Sequence, residues 1–535
     1  AIDLLLTVLE AHVRQSGAEH PDTLIAKSNL ADVYRVAGEP TRAIELLEQV
    51  RDVEIKRRGA DHPETLMTQG NLAQAYHAAG KLAQATQLIE RVRDASVRKL
   101  GAEHPVTLVS VQLLGTVYRD ANRLPEAIEL FQQVRAAQVR KLGADHPEIF
   151  VTLNNLALAY RAAGKLPEAI ELFEQAHDGD VKRLGADHPD TLTTTDNLAI
   201  AYAQAGKLPE AIELLEQVRD LRLAKFGPDH VDTLTTLNNL AGTYRAAGRH
   251  ADATLLIEQV HRGFVKKLGP EHPDSLTLGF NLASCYYAVG RVPEAIELYE
   301  QVRDARTRSL GPDDPYTLST LNALGEVYHA AGTPEQAIPL VEQAAQGFET
   351  LKFQHQFAPK AVGNLIAWLE ELGRYAEAET WRRKWLAVVK ERVGPEHPAY
   401  GGELASLGLN LLKQSKWTDA EPALRECLAL REKLAAGQDP SVLPWQVANV
   451  KSMLGEALAH LQGYSAAEPL LLAGYEGLKE HEATLPPQAK IRLTEALERL
   501  VEFYAATDQV EKRDEWRAKL EETKAVEKVP KPNGT

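Results

Sequence analysis

An all-α fold, a right-handed superhelical solenoid of stacked helical hairpins, is what this sequence predicts, on three observations. His-Pro recurs every 42 residues, at His20-Pro21, His62-Pro63, His104-Pro105, His146-Pro147, His188-Pro189 and His272-Pro273. The same register holds in changed form at His230-Val231 and Asp314-Pro315. A fixed period of this size marks a repeat array in which each unit packs only on its neighbours. Apolar residues within each period fall at spacings of three and four, as in Leu156, Ala157 and Tyr160, the pattern of an amphipathic helix. Glycines at Gly38, Gly80, Gly164, Gly206, Gly248, Gly290 and Gly332, and prolines at Pro125, Pro167, Pro209, Pro293 and Pro334, break each period into two helices.

The elements follow in order. Ala1-Ile2-Asp3-Leu4-Leu5 aligns with Ala43-Ile44-Glu45-Leu46-Leu47, so the chain opens on a second helix without its first and reads as a piece of something longer. In the fourth full unit a first helix ends at Gly164. Pro167 then begins a second helix that runs to about Leu184, and Gly185 closes it. In the turn that follows, proline ends one helix and the next Asp or Thr, as in Pro189-Asp190-Thr191, is expected to cap the following one. Eight such hairpins and the leading half-unit make up residues 1–347. Residues 348–523 read as degenerate hairpins ending in a charged capping hairpin from about Pro487 to Glu522, and residues 524–535 as a disordered tail. Pro339, Pro422 and Pro469 fall inside helical patterns and predict kinked or delayed helices. The count is twelve hairpins after the half.

Composition narrows the function. Hydrophobic residues make up 44% of 535, enough to build a long core, and much of that share is alanine, which suits closely approaching helices. The net charge of -15 repels phosphate backbones and anionic bilayers, so neither nucleic acid nor membrane is an expected partner. No apolar run approaches a transmembrane span. Two cysteines, Cys285 and Cys427, cannot form a disulfide framework and fit a reducing compartment, so the cytoplasm is expected.

Asn155-Leu156-Ala157 with Tyr160, Gly164, Ala169 and Phe173 resembles the tetratricopeptide repeat. The unit of 42 residues with Leu-Gly-x-Asp-His-Pro and Thr-Leu-Asn-Asn-Leu-Ala is similar to the kinesin light chain subclass, whose extra eight residues lengthen the second helix by about two turns. The resemblance is strong to about Gly347 and weak beyond it. It implies that the first helices line a concave groove.

Two columns of polar residues are the candidate binding site. Asn29, Asn71, Asn155, Asn197, Asn239 and Asn281 precede Leu-Ala in register, Asn364 lies one residue out of it, and Asn154, Asn238 and Asn322 stand one position earlier. An amide offers a donor and an acceptor, so a column of them can pair with an extended peptide backbone; the resemblance implies this role. The alternative use is bracing one hairpin against the next. Leu113 and Ala323 interrupt the column. Six residues beyond the asparagine stand Arg35, His77, Arg119, Arg161, Ala203, Arg245, Tyr287 and His329. The arginines can fork to carboxylates of an acidic peptide, or serve only the negative end of the helix dipole.

Other constellations read as structural. Acid–histidine pairs such as Asp187-His188 recur in nearly every unit, whereas an enzyme or metal centre needs one site. Basic pairs such as Arg140-Lys141 close second helices without the interleaved aromatics of a nucleic-acid surface. Trp381 and Trp385 share a helix face and are expected to pack between irregular hairpins. No catalytic residue, metal ligand or cofactor is expected. The function expected is binding of a protein or peptide in the groove. The alternatives are a regulatory arm of a larger signalling enzyme and a structural spacer or self-assembling scaffold.

Overall fold

The computed structural model describes residues 2–527. They fold into two compact units, Ala1–Pro270 and Glu271–Thr535, each described here by itself. In the first unit α1 (Ile2–Ser16) stands alone. Six hairpins follow: α2 (Pro21–Val36) with α3 (Pro40–Arg58), α4 (Pro63–Ala78) with α5 (Leu82–Leu100), α6 (Pro105–Asp120) with α7 (Leu124–Leu142), α8 (Pro147–Ala162) with α9 (Leu166–Leu184), α10 (Pro189–Gln204) with α11 (Leu208–Phe226), and α12 (Val231–Ala246) with α13 (His250–Leu268).

The second unit holds six more: α14 (Pro273–Ala288) with α15 (Val292–Leu310), α16 (Pro315–Ala330) with α17 (Pro334–Thr350), α18 (Ala358–Glu371) with α19 (Tyr375–Val393), α20 (Pro398–Lys413) with α21 (Trp417–Ala436), α22 (Pro444–His460) with α23 (Tyr464–Glu480), and α24 (Ile491–Ala506) with α25 (Val510–Glu527). Two 3-10 turns, Glu482–Thr484 and Pro487–Ala489, lead into the last hairpin. Among the described residues there is no strand. Each unit is an all-α solenoid of stacked helical hairpins. Residues 524–527, expected to be disordered, continue α25, and residues 528–535 of that expected tail lie outside the described residues.

The His-Pro turn works differently from its expected reading. Histidine itself is the N-cap: His188 holds extended angles (φ -70°, ψ 140°), and its Nδ1 accepts from the Asp190 N–H at 3.3 Å. His20, His62, His104, His146, His230, His272 and His397 do the same, and Asp314 takes over in α16. Proline then occupies the first helical position, where its missing N–H costs no bond. It starts the helix instead of ending one. Second helices begin one residue before their proline at Leu124, Leu166, Leu208 and Val292, one position earlier than expected, while α17 begins at Pro334 itself. α17, α21 and α23 start before Pro339, Pro422 and Pro469 and run through them, so none of the three is delayed.

The turn between paired helices needs a left-handed residue. Gly164 supplies it at φ 73°, and Asn122, Ser415, Gln462 and Asp508 hold the same place elsewhere at φ 54–62°. Where paired helices touch, alanine lets the backbones approach: Ala43, Ala85, Ala127, Ala169 and Ala211 are wholly buried at 42-residue intervals.

Within each unit a second helix packs on its own first helix and on the first helix of the hairpin that follows it there. Consecutive first helices also approach one another directly, α4 on α6 and α10 on α12 in the first unit, α20 on α22 and α22 on α24 in the second. Among the described residues no consecutive second helices come as close. First helices therefore form the shorter, inner wall of each unit.

Candidate functional site

The solvent face of a first helix follows from helical geometry. Residues four before, three after and seven after the column asparagine share its side of the cylinder. In α2 these are Ile25, Asn29, Asp32 and Val36, and all four are exposed. The inner wall thus presents the amide column to solvent, with the cation column toward the C-terminal end of each helix.

The amides divide into two groups. Asn197 of α10 donates to the Asn154 Oδ1 of α8 at 3.1 Å. Asn364 of α18 donates to the Asn322 Oδ1 of α16 at 3.0 Å and to the Glu326 Oε1 at 2.8 Å, and the Asn322 amide also donates to Glu326. These four brace neighbouring first helices. Among the described residues, Asn29, Asn71, Asn155, Asn238, Asn239 and Asn281 have no side-chain hydrogen bond and stand exposed or half-buried.

The cation column is equally uneven. Arg35 donates to Asp32 within its own helix. Asp120 of α6 accepts from Arg119 Nε at 2.8 Å, and its other oxygen lies 2.8 Å from His77 Nε2 of α4. His329 lies 3.0 Å from Glu371 and stacks on Trp368 at 4.3 Å. Arg245 is exposed. Arg161 differs from all of these. It is half-buried, its Nη1 is shut off from solvent, and that nitrogen has no hydrogen-bond partner. Burial and the neighbouring charge of Arg119 both push the guanidinium below its usual pKa. A desolvated cation without a counter-ion is costly.

Between consecutive hairpins lies a polar slot that reading single motifs did not reveal. One second-helix residue meets one residue on each flanking first helix, and the three vary together. Gln138, Thr152 and Gln112 form a hydrogen-bonded chain. One hairpin later Asp180 accepts from Thr194 at 2.8 Å. In the next, Arg222 and Asp196 form an ion pair at 2.7 Å with side chains 5% and 7% exposed, joined by Thr236. Burial pushes the Asp196 carboxyl up to about 6. In the second unit the corresponding slot holds Arg306 over the Phe280 ring at 5.3 Å, with the Arg306 guanidinium donating to Thr320. Aligning the chain at 42 residues and reading triplets at offsets of 26 and 14 would have found them.

Two of these slots floor open clefts. One of about 430 Å³ is lined by Leu24, Ile25, Ser28, Glu54, Met67 and Asn71 among others. Another of about 310 Å³ is lined by Leu108, Val109, Gln112, Gln138 and Val151 among others.

Several of the basic residues closing second helices are taken up by the acid that precedes a capping histidine 37 or 38 residues earlier: Arg140 by Glu103 at 2.7 Å, Lys225 by Asp187 at 3.4 Å, Lys266 by Asp229 at 2.5 Å, and Arg308 by Glu271 at 2.9 Å. Trp368 and Trp381 are buried in one apolar cluster with Trp385 packed against it. Among the described residues no group of histidine, cysteine and carboxylate side chains is placed to hold a metal, and no helix is long and apolar enough to cross a membrane.

A tetratricopeptide repeat model matches the sequence at residues 26–96, 64–139, 107–180, 148–224, 204–264, 266–350 and 358–433. Among solved structures, the nearly identical TPR-like repeats of a kinesin light chain-like protein of Podosopora anserina are similar at 36% identity, covering 39% of this chain and 98% of that one, with a TM-score of 0.34. A Rap protein complexed with competence and sporulation factor is similar at 13% identity, over 66% of this chain and 99% of that one, with a TM-score of 0.41. The apo form of RapI is similar at 12% identity, over 69% and 98%, with a TM-score of 0.47. No curated protein matches the chain.

Proposed function

The chain belongs to the tetratricopeptide repeat family, and from that premise we propose that it is a non-catalytic binder of protein segments, with extended, acidic peptides held on the inner wall of the first unit. The observation that carries this reading is Arg161, a half-buried guanidinium with an unpartnered nitrogen on the wall of first helices. A carboxylate reaching the open part of this half-buried guanidinium would meet a cation already partly desolvated by the fold, and a charge-assisted bond is among the stronger polar contacts. Arg119 and Arg245 extend the same column. Asn71, Asn155 and Asn239 have amides free of side-chain bonds and can pair with both groups of a peptide backbone. Asn154 and Asn197, tied to each other, hold the wall in register.

The test replaces Asn71, Asn155 and Asn239 by alanine together and measures binding of a labelled nonaglutamate peptide by fluorescence anisotropy. The expected result is affinity weakened about tenfold or more, at about 1.4 kcal/mol per tenfold, with an unchanged melting temperature. Unchanged binding overturns the reading, as does a loss of binding that merely tracks a loss of stability.

A further inference from the structure

Two late hairpins of the second unit place an aromatic ring at the same point of the helix-to-helix turn. Trp417 stands two residues after the left-handed Ser415, and Tyr464 two residues after the left-handed Gln462. In the first unit Leu82, Leu166 and Leu208 hold that position. Two residues before the next such turn stand His460 and Ala506 respectively. His460 closes α22 and lies flat on Trp417, the ring centroids 3.8 Å apart and the planes within 5° of each other. One hairpin on, Ala506 has no ring to lay over Tyr464, which stays 37% exposed. A cavity of about 160 Å³ opens there, lined by Glu456, His460, Tyr464, Arg499, Glu502 and Phe503 among others.

The charges around this cavity are unequally matched. Arg499 is spent: its Nε bonds Glu456, its Nη1 donates to the Ser452 Oγ at 3.3 Å, and its Nη2 lies 3.8 Å from Glu495. Among the described residues the Glu502 carboxylate has no hydrogen bond or ion pair. Partial burial, then the carboxylates of Glu456 and Glu498, push its pKa above the ordinary value, while His460 and Arg499 pull it back. A cation placed beside it relieves that crowding. Phe503 is buried and sets its ring at 67° to Tyr464, centroids 6.0 Å apart, which braces the aromatic floor.

We infer that this cavity binds a flat cation, the guanidinium of an arginine, stacked on Tyr464 and paired with Glu502. His460 on Trp417 shows the shape that the position accepts: a planar nitrogen group lying face to face with an aromatic ring. A guanidinium has that flatness, stays charged, and forks to a carboxylate. A ring face attracts a cation within about 6 Å of its centroid. A lysine ammonium can pair with Glu502 but has no plane to lay on Tyr464. The cavity has room for one side chain and none for a docked helix or strand. None of its residues belongs to the amide or cation columns, so the inference stands independent of the function proposed above.

The experiment titrates the whole chain, by isothermal calorimetry, with L-arginine, L-citrulline, L-lysine and acetyl-Ala-Arg-Ala-amide. Citrulline keeps the flat end group of arginine and lacks its charge. Arginine is expected to bind about tenfold tighter than citrulline or lysine, a gain of about 1.4 kcal/mol. Glu502→Gln, at an exposed position, is expected to weaken arginine about tenfold with an unchanged melting temperature. Ala506→His is expected to end arginine binding by laying an imidazole on Tyr464, and Glu502→Gln decides alone if that variant does not fold. The blocked tripeptide separates two sources of the cation. Tighter binding than free arginine identifies a side chain presented by a protein, and weaker binding identifies the free amino acid. Equal affinity for arginine and citrulline, or for arginine and lysine, overturns the inference. So does arginine binding that survives Glu502→Gln undiminished, or the failure of both arginine and the tripeptide to bind the unaltered chain.

Discussion

In the first unit the tyrosine near the end of a first helix reaches a glutamate 28 residues earlier, on the preceding second helix. Tyr76 bonds Glu48 at 2.6 Å, Tyr118 bonds Glu90 at 2.5 Å, Tyr202 bonds Glu174 at 2.6 Å and Tyr244 bonds Glu216 at 2.5 Å. A cation from the following turn covers the same ring, Arg123 over Tyr118 at 3.7 Å and Arg249 over Tyr244 at 4.0 Å. In the second unit that bond persists only as far as Tyr328 and Glu300. Beyond it Tyr400 reaches forward to Glu426, Tyr504 reaches back 36 residues to Glu468, and Trp417 stacks on His460 at 3.8 Å. The first unit repeats one aromatic and one carboxylate at this joint, with Gln132 in place of the carboxylate at Tyr160, whereas beyond Tyr328 the second unit does not repeat its residues. Stacking fixes which places need a polar bond; it leaves open which residues supply it.

That contrast can be broken at its most demanding joint, the buried pair of Arg222 and Asp196. Arg222→Ala leaves a carboxylate buried without its cation and is expected to destabilise the first unit by about 3–5 kcal/mol, read from urea unfolding. Replacing Arg222, Thr236 and Asp196 by Phe, Leu and Asn, the residue types that stand 42 positions further along the sequence, is expected to recover most of the loss. A triple variant no more stable than Arg222→Ala would show that slots are not interchangeable.

A size-matched pair gives the next effect. A Cβ on Gly179 would lie 2.2 Å from the Phe150 ring, and the same position in most neighbouring repeats pairs a larger residue with leucine. Gly179→Ala is expected to cost about 1–3 kcal/mol through overpacking. Phe150→Leu in the same chain is expected to restore stability. A harmless single substitution would contradict the pairing.

The second unit is probed at Glu379. Burial pushes its carboxyl up, but hydrogen bonds from Lys416, Arg383 and Gln414 outweigh burial and hold it at about 2. A folded-state value below the unfolded one stabilises the fold above the ordinary carboxylate range, and this contribution is lost as pH falls from about 4.5 toward 2. Glu379→Gln is expected to lower stability by about 1–2 kcal/mol at pH 7, and the gap should close on acidification. A gap independent of pH would remove the ionised carboxylate from the account.

The contrast also explains what could be read in advance. The His-Pro period and the positions of Gly164 and Gly185 fixed helix boundaries to within a residue or so, because each position obeys a local rule of capping or left-handed backbone. The role of His188 was hidden: aspartate and threonine are the commoner caps, and an imidazole acceptor has no distinctive spacing. Asn154 and Asn155 look alike in sequence, yet one bonds Asn197 and the other does not, since adjacent residues face about 100° apart around α8. Ile25, Met67, Val109 and Val151 stand at 42-residue intervals and look like core in the sequence, since an apolar residue on a helix is ordinarily buried; only their exposure separates them. From α18 onward the register shifts, so the partners of Tyr400 and Tyr504 had no periodic signal.

The central claim is that the inner wall of the first unit keeps a cation in place for a ligand at a cost to the fold. Arg161→Met retains the aliphatic stem and removes the charge. The melting temperature of this variant and its affinity for nonaglutamate, measured side by side, test that claim most directly. The account predicts an unchanged or raised melting temperature with affinity reduced about tenfold, a loss of about 1.4 kcal/mol. A lowered melting temperature with intact binding would contradict it, since Arg161 would then serve the stack alone.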